Sequence, residues 1–142
     1  MKQSLKELAT PFDWLRDLGF VGPSLAENGV NPTLHWLSAE IEIELELDAR
    51  EEGLYLLLVR PEMGKLPDGY YISHGKPCRV HLEHVILKLR LRVDDKAWER
   101  VRMLSQARNH TTSHWSDLSL AYGQLLRSCI DQILAETHRA FE

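Results

Sequence analysis

A chain of 142 residues with 44% apolar content can bury one sizeable core, so a single domain over residues 1–142 is expected. Seventeen basic residues against 21 acidic ones leave a net charge of −4, which argues against a general nucleic-acid binder held by phosphate neutralisation. Cys78 and Cys129 are too far apart in sequence to suggest a disulfide framework, the opening MKQSLKELATPFDWL lacks a secretory apolar run, and no window approaches the roughly 18 apolar residues of a membrane span; a reduced, cytoplasmic setting is expected.

Residues 2–9 allow a short turn of helix, and Thr10-Pro11 then opens a firmer one. Thr suits the N-cap, Pro suits the first helical position, and Asp13 lies near the positive end. Gly19 ends it, with Phe20 placed to pack back on Leu15. Two prolines, two glycines and two asparagines in VGPSLAENGVNP predict an irregular surface loop over 21–32.

Residues 33–37, 40–48 and 54–60 read as strands, the second alternating apolar and acidic residues throughout, AEIEIELELD. The link AREEG is short enough for an antiparallel hairpin. With Asp48 opposite Gly53, Leu47, Leu45 and Ile43 meet Leu54, Leu56 and Leu58, while Glu46, Glu44 and Glu42 meet Tyr55, Leu57 and Val59. A loop one residue longer would move Leu54, Leu56 and Leu58 to the acidic face.

Three prolines and three glycines forbid a long helix over 61–77, although residues 70–72, from Tyr70, allow a short edge strand. Residues 85–93 alternate again and read as a further strand; Leu82, Val85, Ile86 and Leu89 also satisfy helical spacing, leaving a helix over part of 79–90 as the alternative. Asp94 or Asp95 caps a helix with the stripe Ala97, Trp98, Val101 and Leu104. After ARNHTTS, Thr112 or Ser113 caps a longer one whose apolar face is Leu118, Tyr122, Leu125, Leu126, Cys129, Ile133 and Leu134. The expected class is α+β: an N-terminal helix, an antiparallel sheet of three to five strands, and two C-terminal helices packed on one face.

Charge is uneven along this chain. Residues 40–52 hold seven acids and one arginine, net −6, and residues 76–92 hold five basic residues and Glu83, net +4. Glutamates open to water on a sheet keep ordinary pKa values and make poor acid–base catalysts. The face bearing Glu42, Glu44 and Glu46, with the adjoining Tyr55, Leu57 and Val59, is instead the candidate partner-binding surface, because an apolar stripe flanked by charge matches interface anatomy. Lys88, Arg90 and Arg92 supply a basic row that can share that face. Mimicry of DNA is a poorer fit: alternate strand residues stand about 6.7 Å apart, against one phosphate charge roughly every 3.4 Å along a DNA strand.

His74-x3-Cys78-x2-His81-x2-His84 carries zinc-ligand chemistry but matches no specified zinc pattern, and an extended backbone would send His81 and His84 to opposite faces. No cofactor or metal is expected. His110 and His114 read as surface residues. There is no G-x-S-x-G elbow, neither cysteine lies in an activating signature, and MGKLP lacks the upstream glycine of a phosphate loop, so a non-catalytic protein is expected.

FDWLRDLGF, followed by a loop and LHWLSAEIEIELELDAREEGLYLLLVR, resembles the opening of small bacterial α+β immunity proteins of polymorphic and contact-dependent toxin systems, through Phe12, Leu15, Gly19 and Phe20 of an F-x-x-L-x-x-x-G-F helix. The resemblance spans about the first 60 residues and transfers no binding residue. It implies a domain that binds and neutralises one cognate toxin without chemistry. A secretion-chaperone-like dimer, which this chain resembles in size and charge, and a small metal-dependent enzyme using His74 to His84 are the alternatives.

Overall fold

The period-two segments pair into one antiparallel sheet in the computed structural model, which describes residues 2–26, 31–48, 53–61, 72–73, 75–106 and 112–142. Helix α1 (Lys2–Ala9) runs directly into a 3-10 helix (Thr10–Leu18). Thr10 is therefore not an N-cap. Its preceding residue Ala9 is already helical, and its hydroxyl makes only a 3.5 Å contact back to the Lys6 carbonyl. Gly19 stops the helix as expected: at φ 92° its N–H reaches the Arg16 carbonyl, and Phe20 N–H donates to Leu15 O at 3.1 Å.

The sheet has the order β1 (Val21–Ala26), β2 (Thr33–Leu37), β3 (Glu42–Asp48), β4 (Gly53–Val59), then β7 (Arg79–His81), with every pair antiparallel. A separate ribbon pairs β5 (Ile72–Ser73) with β6 (Lys76–Pro77) around Gly75, whose φ is 76°. Of the short edge strand expected over 70–72, Ile72 lies in this ribbon and not in the five-stranded sheet, and residues 70 and 71 lie outside the described residues.

The β3–β4 register is the shorter-loop one, from Asp48 opposite Gly53 to Glu42 opposite Val59. Two expectations fail. Residues 21–26 are an edge strand and not loop, because an edge needs to satisfy hydrogen bonds on one side only and so tolerates Gly22, Pro23 and the irregularity between Val21 and Ser24.

The second correction falls on residues 82–89, which form helix α2 (Leu82–Leu89), not part of a strand. Leu82, Val85 and Ile86 go into the core together, Leu87 is left exposed, and Arg90 closes the helix in the left-handed region with Leu91 N–H bonded to Ile86 O. A strand would have aligned Leu87 with Val85 and Leu89. Lys88, Arg90 and Arg92 consequently leave the sheet, and the Gln132 side chain grips Arg92 at both backbone N–H and carbonyl.

Helix α3 (Asp95–Gln106) is capped by Asp94, whose Oδ1 accepts the Ala97 N–H at 3.0 Å. Helix α4 (Thr112–Ala135) buries Leu118, Tyr122, Leu125, Leu126, Cys129 and Ile133. A further short helix, α5 (Thr137–Ala140), follows. The core lies between these helices and the sheet face carrying Leu34, Trp36, Ile43, Leu45, Leu54, Leu56 and Leu58, with Phe12 stacked at 5.0 Å on Trp36. Backbones approach closely where α4 crosses the 3-10 helix: a Cβ at Gly123 would lie 2.6 Å from the Pro11 carbonyl oxygen. Among the described residues no helix is long and apolar enough to cross a membrane.

Candidate functional site

Residues directly opposite in an antiparallel pair share a face, so the register assigns the second face of the sheet without ambiguity. It carries Thr33 and His35 from β2, Glu42, Glu44, Glu46 and Asp48 from β3, Tyr55, Leu57 and Val59 from β4, and Arg79 and His81 from β7. The six residues expected to form a binding surface are thereby brought together.

They do not stand open to water. Glu42 is 0% exposed, Glu44 4%, Leu57 1% and Val59 0%, while Glu46 and Tyr55 are half-buried. The expectation of an exposed acidic row is corrected: alternation shows which residues share a face, and this chain covers its own.

Burial forces the charges to find partners. Glu44 Oε2 accepts from Arg79 Nε at 2.9 Å, across β4, so the ladder's buried centre is met by Arg79 and not by Lys88, Arg90 or Arg92. His35 Nδ1 lies 2.6 Å from Glu42 Oε1, on the cross-strand diagonal, in an approach too oblique for a well-aligned hydrogen bond. Glu42 Oε2 meets no hydrogen-bonding partner among the described residues. On the other side of the ring, His35 Nε2 is 2.6 Å from Thr33 Oγ1, which in turn reaches the Ala26 carbonyl at 3.4 Å.

Burial raises the Glu42 carboxyl above its ordinary value, more strongly than His35 lowers it. Glu46 is raised too, by burial first and then by Glu44 and Asp48 on the same strand, against smaller opposing effects from Arg79 and Asn31.

The line Thr33 to His35 to Glu42 has the order of hydroxyl, imidazole and carboxyl used in acyl transfer, and sequence reasoning missed it. Its signal was Thr33 and His35 two apart on one strand, with a glutamate on the next. Here the hydroxyl is buried, 2.6 Å from the imidazole and 3.4 Å from the Ala26 carbonyl, and the chain of contacts orients the imidazole.

The histidine and cysteine set is scattered. Cys78 is buried, His81 stands edge-on to Tyr55 at 5.6 Å on the second face, and His84 is exposed on α2; His74 lies outside the described residues. Among the described residues no group of three side chains could hold a metal ion. Neither cysteine is in a disulfide, both are buried, and burial pushes the Cys129 thiol up to about 12. His114, expected at the surface, is buried against the Trp115 ring because α4 begins early enough to carry it inward; His110 lies outside the described residues. Comparison with family models, with curated proteins and with solved structures finds no match to this chain.

Proposed function

We propose that this chain is a non-catalytic protein-binding domain that takes a cationic segment of a partner protein at the Glu46, Asp48 and Tyr55 end of the ladder. The observation that carries the reading is like-charge crowding at the half-exposed end of β3, where Glu46 and Asp48 follow the buried Glu44 on one face. Glu46 sits between Glu44 and Asp48, and its proton affinity is raised in part by those like charges. An incoming lysine or arginine relieves that repulsion, and rim charge of this kind sets association rate and partner choice.

Glu42, Glu44, Leu57 and Val59 lie beside that end on the same face, with Glu42 against His35 of β2 and Glu44 paired to Arg79 of β7. With the resemblance of the first 60 residues, the partner is a toxin domain and the chain a bacterial immunity-type protein acting in the cytoplasm. Co-expression with the product of a toxin-like gene adjacent to its own tests the reading. The wild-type chain should protect cells and co-purify with the toxin, and Glu46→Lys with Asp48→Lys should abolish both while leaving the unfolding midpoint nearly unchanged. Undiminished protection by that variant would defeat it.

A dimeric, chaperone-like reading is favoured by one feature, the exposed pair Val21 and Leu37, which face each other on β1 and β2 at the sheet edge. Pro23 and the irregularity beside it work against pairing of that edge with a second copy. Light scattering showing a monomer at micromolar concentration would remove this reading.

A further inference from the structure

Where α3 packs along α4, in the helical layer across the sheet from the acidic ladder, a groove of about 460 Å3 opens to water. Lys96 and Arg100 line it from α3, Gln124 and Arg127 from α4, and its end is closed where the Asp94 N–H donates to Ser128 Oγ at 3.0 Å. Its charge is one-sided. Three cations meet one carboxylate, and Asp94 Oδ1 is already engaged by the Ala97 N–H, so the start of α3 is capped by the chain's own acid. Asp95, Glu99 and Asp131, on the same two helices, do not line the groove. Among the described residues no carboxylate forms an ion pair with Lys96, Arg100 or Arg127.

The cations are also set against one another. Lys96 and Arg100 stand one turn apart on α3, an i,i+4 pair of like charge that disfavours the helix carrying it. Arg127 lines the same groove from α4, with its guanidinium carbon 5.9 Å from the centre of the Trp14 ring. Trp14 is itself fixed by its Nε1–H, which donates to the Pro11 carbonyl at 2.9 Å. A guanidinium stacked on a ring keeps the N–H groups at its edge for a ligand. A chain of net charge −4 thus gathers three cations in one groove and positions one of them on an aromatic ring, with no acid of its own paired to any of them among the described residues.

We propose that this groove binds a phosphate monoester, with the phosphoryl oxygens shared among Lys96, Arg100 and Arg127. A carboxylate brings one charge and two acceptor oxygens. A phosphoryl group near neutral pH brings roughly 1.5 to 2 negative charges and three acceptors, one for each cation. Relief of the repulsion between Lys96 and Arg100 adds to the gain on binding.

The test follows the backbone amides of the full chain by NMR during titration with phenyl phosphate, against benzoate as the monocarboxylate of the same ring, and with a short peptide carrying one phosphoserine, against its unphosphorylated form. Phenyl phosphate should bind saturably, shift the amides of Lys96, Arg100, Gln124 and Arg127, and weaken as pH falls through about 6, where the monoester takes up its second proton. Benzoate should bind at least about tenfold more weakly. Tighter binding of the phosphopeptide than of phenyl phosphate assigns the ligand to a phosphorylated protein segment, and the reverse order assigns it to a small phosphate ester; either sustains the phosphoryl assignment. Arg100→Gln with Arg127→Gln should weaken phenyl phosphate by about tenfold or more with the circular dichroism spectrum unchanged. If loss of the Trp14 contact perturbs the fold of that variant, Lys96→Glu alone, at an exposed position, should still weaken binding several-fold. Arg102→Gln, on α3 and outside the groove, should have no effect. Benzoate binding as tightly as phenyl phosphate, undiminished binding by Lys96→Glu, or an equal loss in Arg102→Gln would each overturn the assignment.

Discussion

Leu45 and Glu44 are neighbours on β3, at 1% and 4% exposed, and they face opposite sides of the same sheet. Leu45 looks into the main core, among Leu34, Trp36, Leu56 and the helices. Glu44 looks into a second buried layer with Leu57, Val59, His35 and Arg79. Burial is equally deep, but its energetics differ. Apolar burial is favourable at every position, contributing about 1.5–3 kcal/mol for a fully buried leucine. A buried ion pair gives back little beyond its own desolvation cost, and what it contributes is geometry: Arg79 fixes β7 against β3 across the intervening strand.

The largest expected effects come from breaking each layer once. Leu56→Ala should cost about 2–5 kcal/mol by leaving a cavity, and Arg79→Met about 3–5 kcal/mol by leaving Glu44 charged and unpaired. Urea denaturation measures both. The layers should then part company in the double replacement: Glu44→Met with Arg79→Met should recover most of the loss, because no uncompensated charge remains. If the double variant is no more stable than Arg79→Met alone, the pair is not the organising contact of the second layer.

What could be read from the sequence follows the same division. The β3–β4 register was legible from a strict period and a short link, and α3 and α4 from a cap at Asp94 and an apolar stripe at helical spacing. Edge strand β1 was not, because glycine and proline mark a loop and a tolerant edge alike. Helix α2 was not, because Val85, Leu87 and Leu89 satisfy period two while Leu82, Val85, Ile86 and Leu89 satisfy 3.6, and only packing against the core chooses.

The candidate site was half legible. Alternation placed Glu42, Glu44, Glu46, Tyr55, Leu57 and Val59 on one face, but no local pattern says that a face is covered. The partner choices of His35 and Arg79, residues seven and 35 positions from their glutamates, are tertiary facts.

A second prediction concerns Glu42. Its folded-state carboxyl is raised above the ordinary value of 4.5. The folded chain therefore holds this proton more tightly than the unfolded chain does. The associated stability is fully present below the ordinary value and is lost as pH rises through the raised one. Gln keeps the size of the side chain and has no charge to bury, so Glu42→Gln should match wild type in acid and gain on it progressively as pH climbs through that window. Glu42→Ala should cost about 1–3 kcal/mol in acid, by removing the group beside a buried ring nitrogen, and progressively less as pH climbs. A difference between wild type and Glu42→Gln that does not vary with pH would show that Glu42 stays charged in the fold.

The smallest effect is expected at Glu46, and it bears most directly on the proposed partner. Glu46 is half-buried, and its carboxyl is raised by burial first and by Glu44 and Asp48 next. The sign is the same as for Glu42: stability is lost as pH rises through the raised value, so Glu46→Gln should stabilise the chain near neutral pH. The gain should stay below about 1 kcal/mol, because water screens a half-exposed group. The two sites should differ in their response to salt. Desolvation is insensitive to ionic strength, whereas repulsion between partly solvated carboxylates falls once the Debye length drops from about 10 Å at 0.1 M to about 3 Å at 1 M. The Glu46→Gln gain should therefore shrink at high salt, and the Glu42→Gln gain should not. Like-charge repulsion at Glu46 is also what a lysine or arginine of a partner would relieve, so a Glu46→Gln gain that survives 1 M salt unchanged would remove the electrostatic basis for a cationic partner at this end of the ladder.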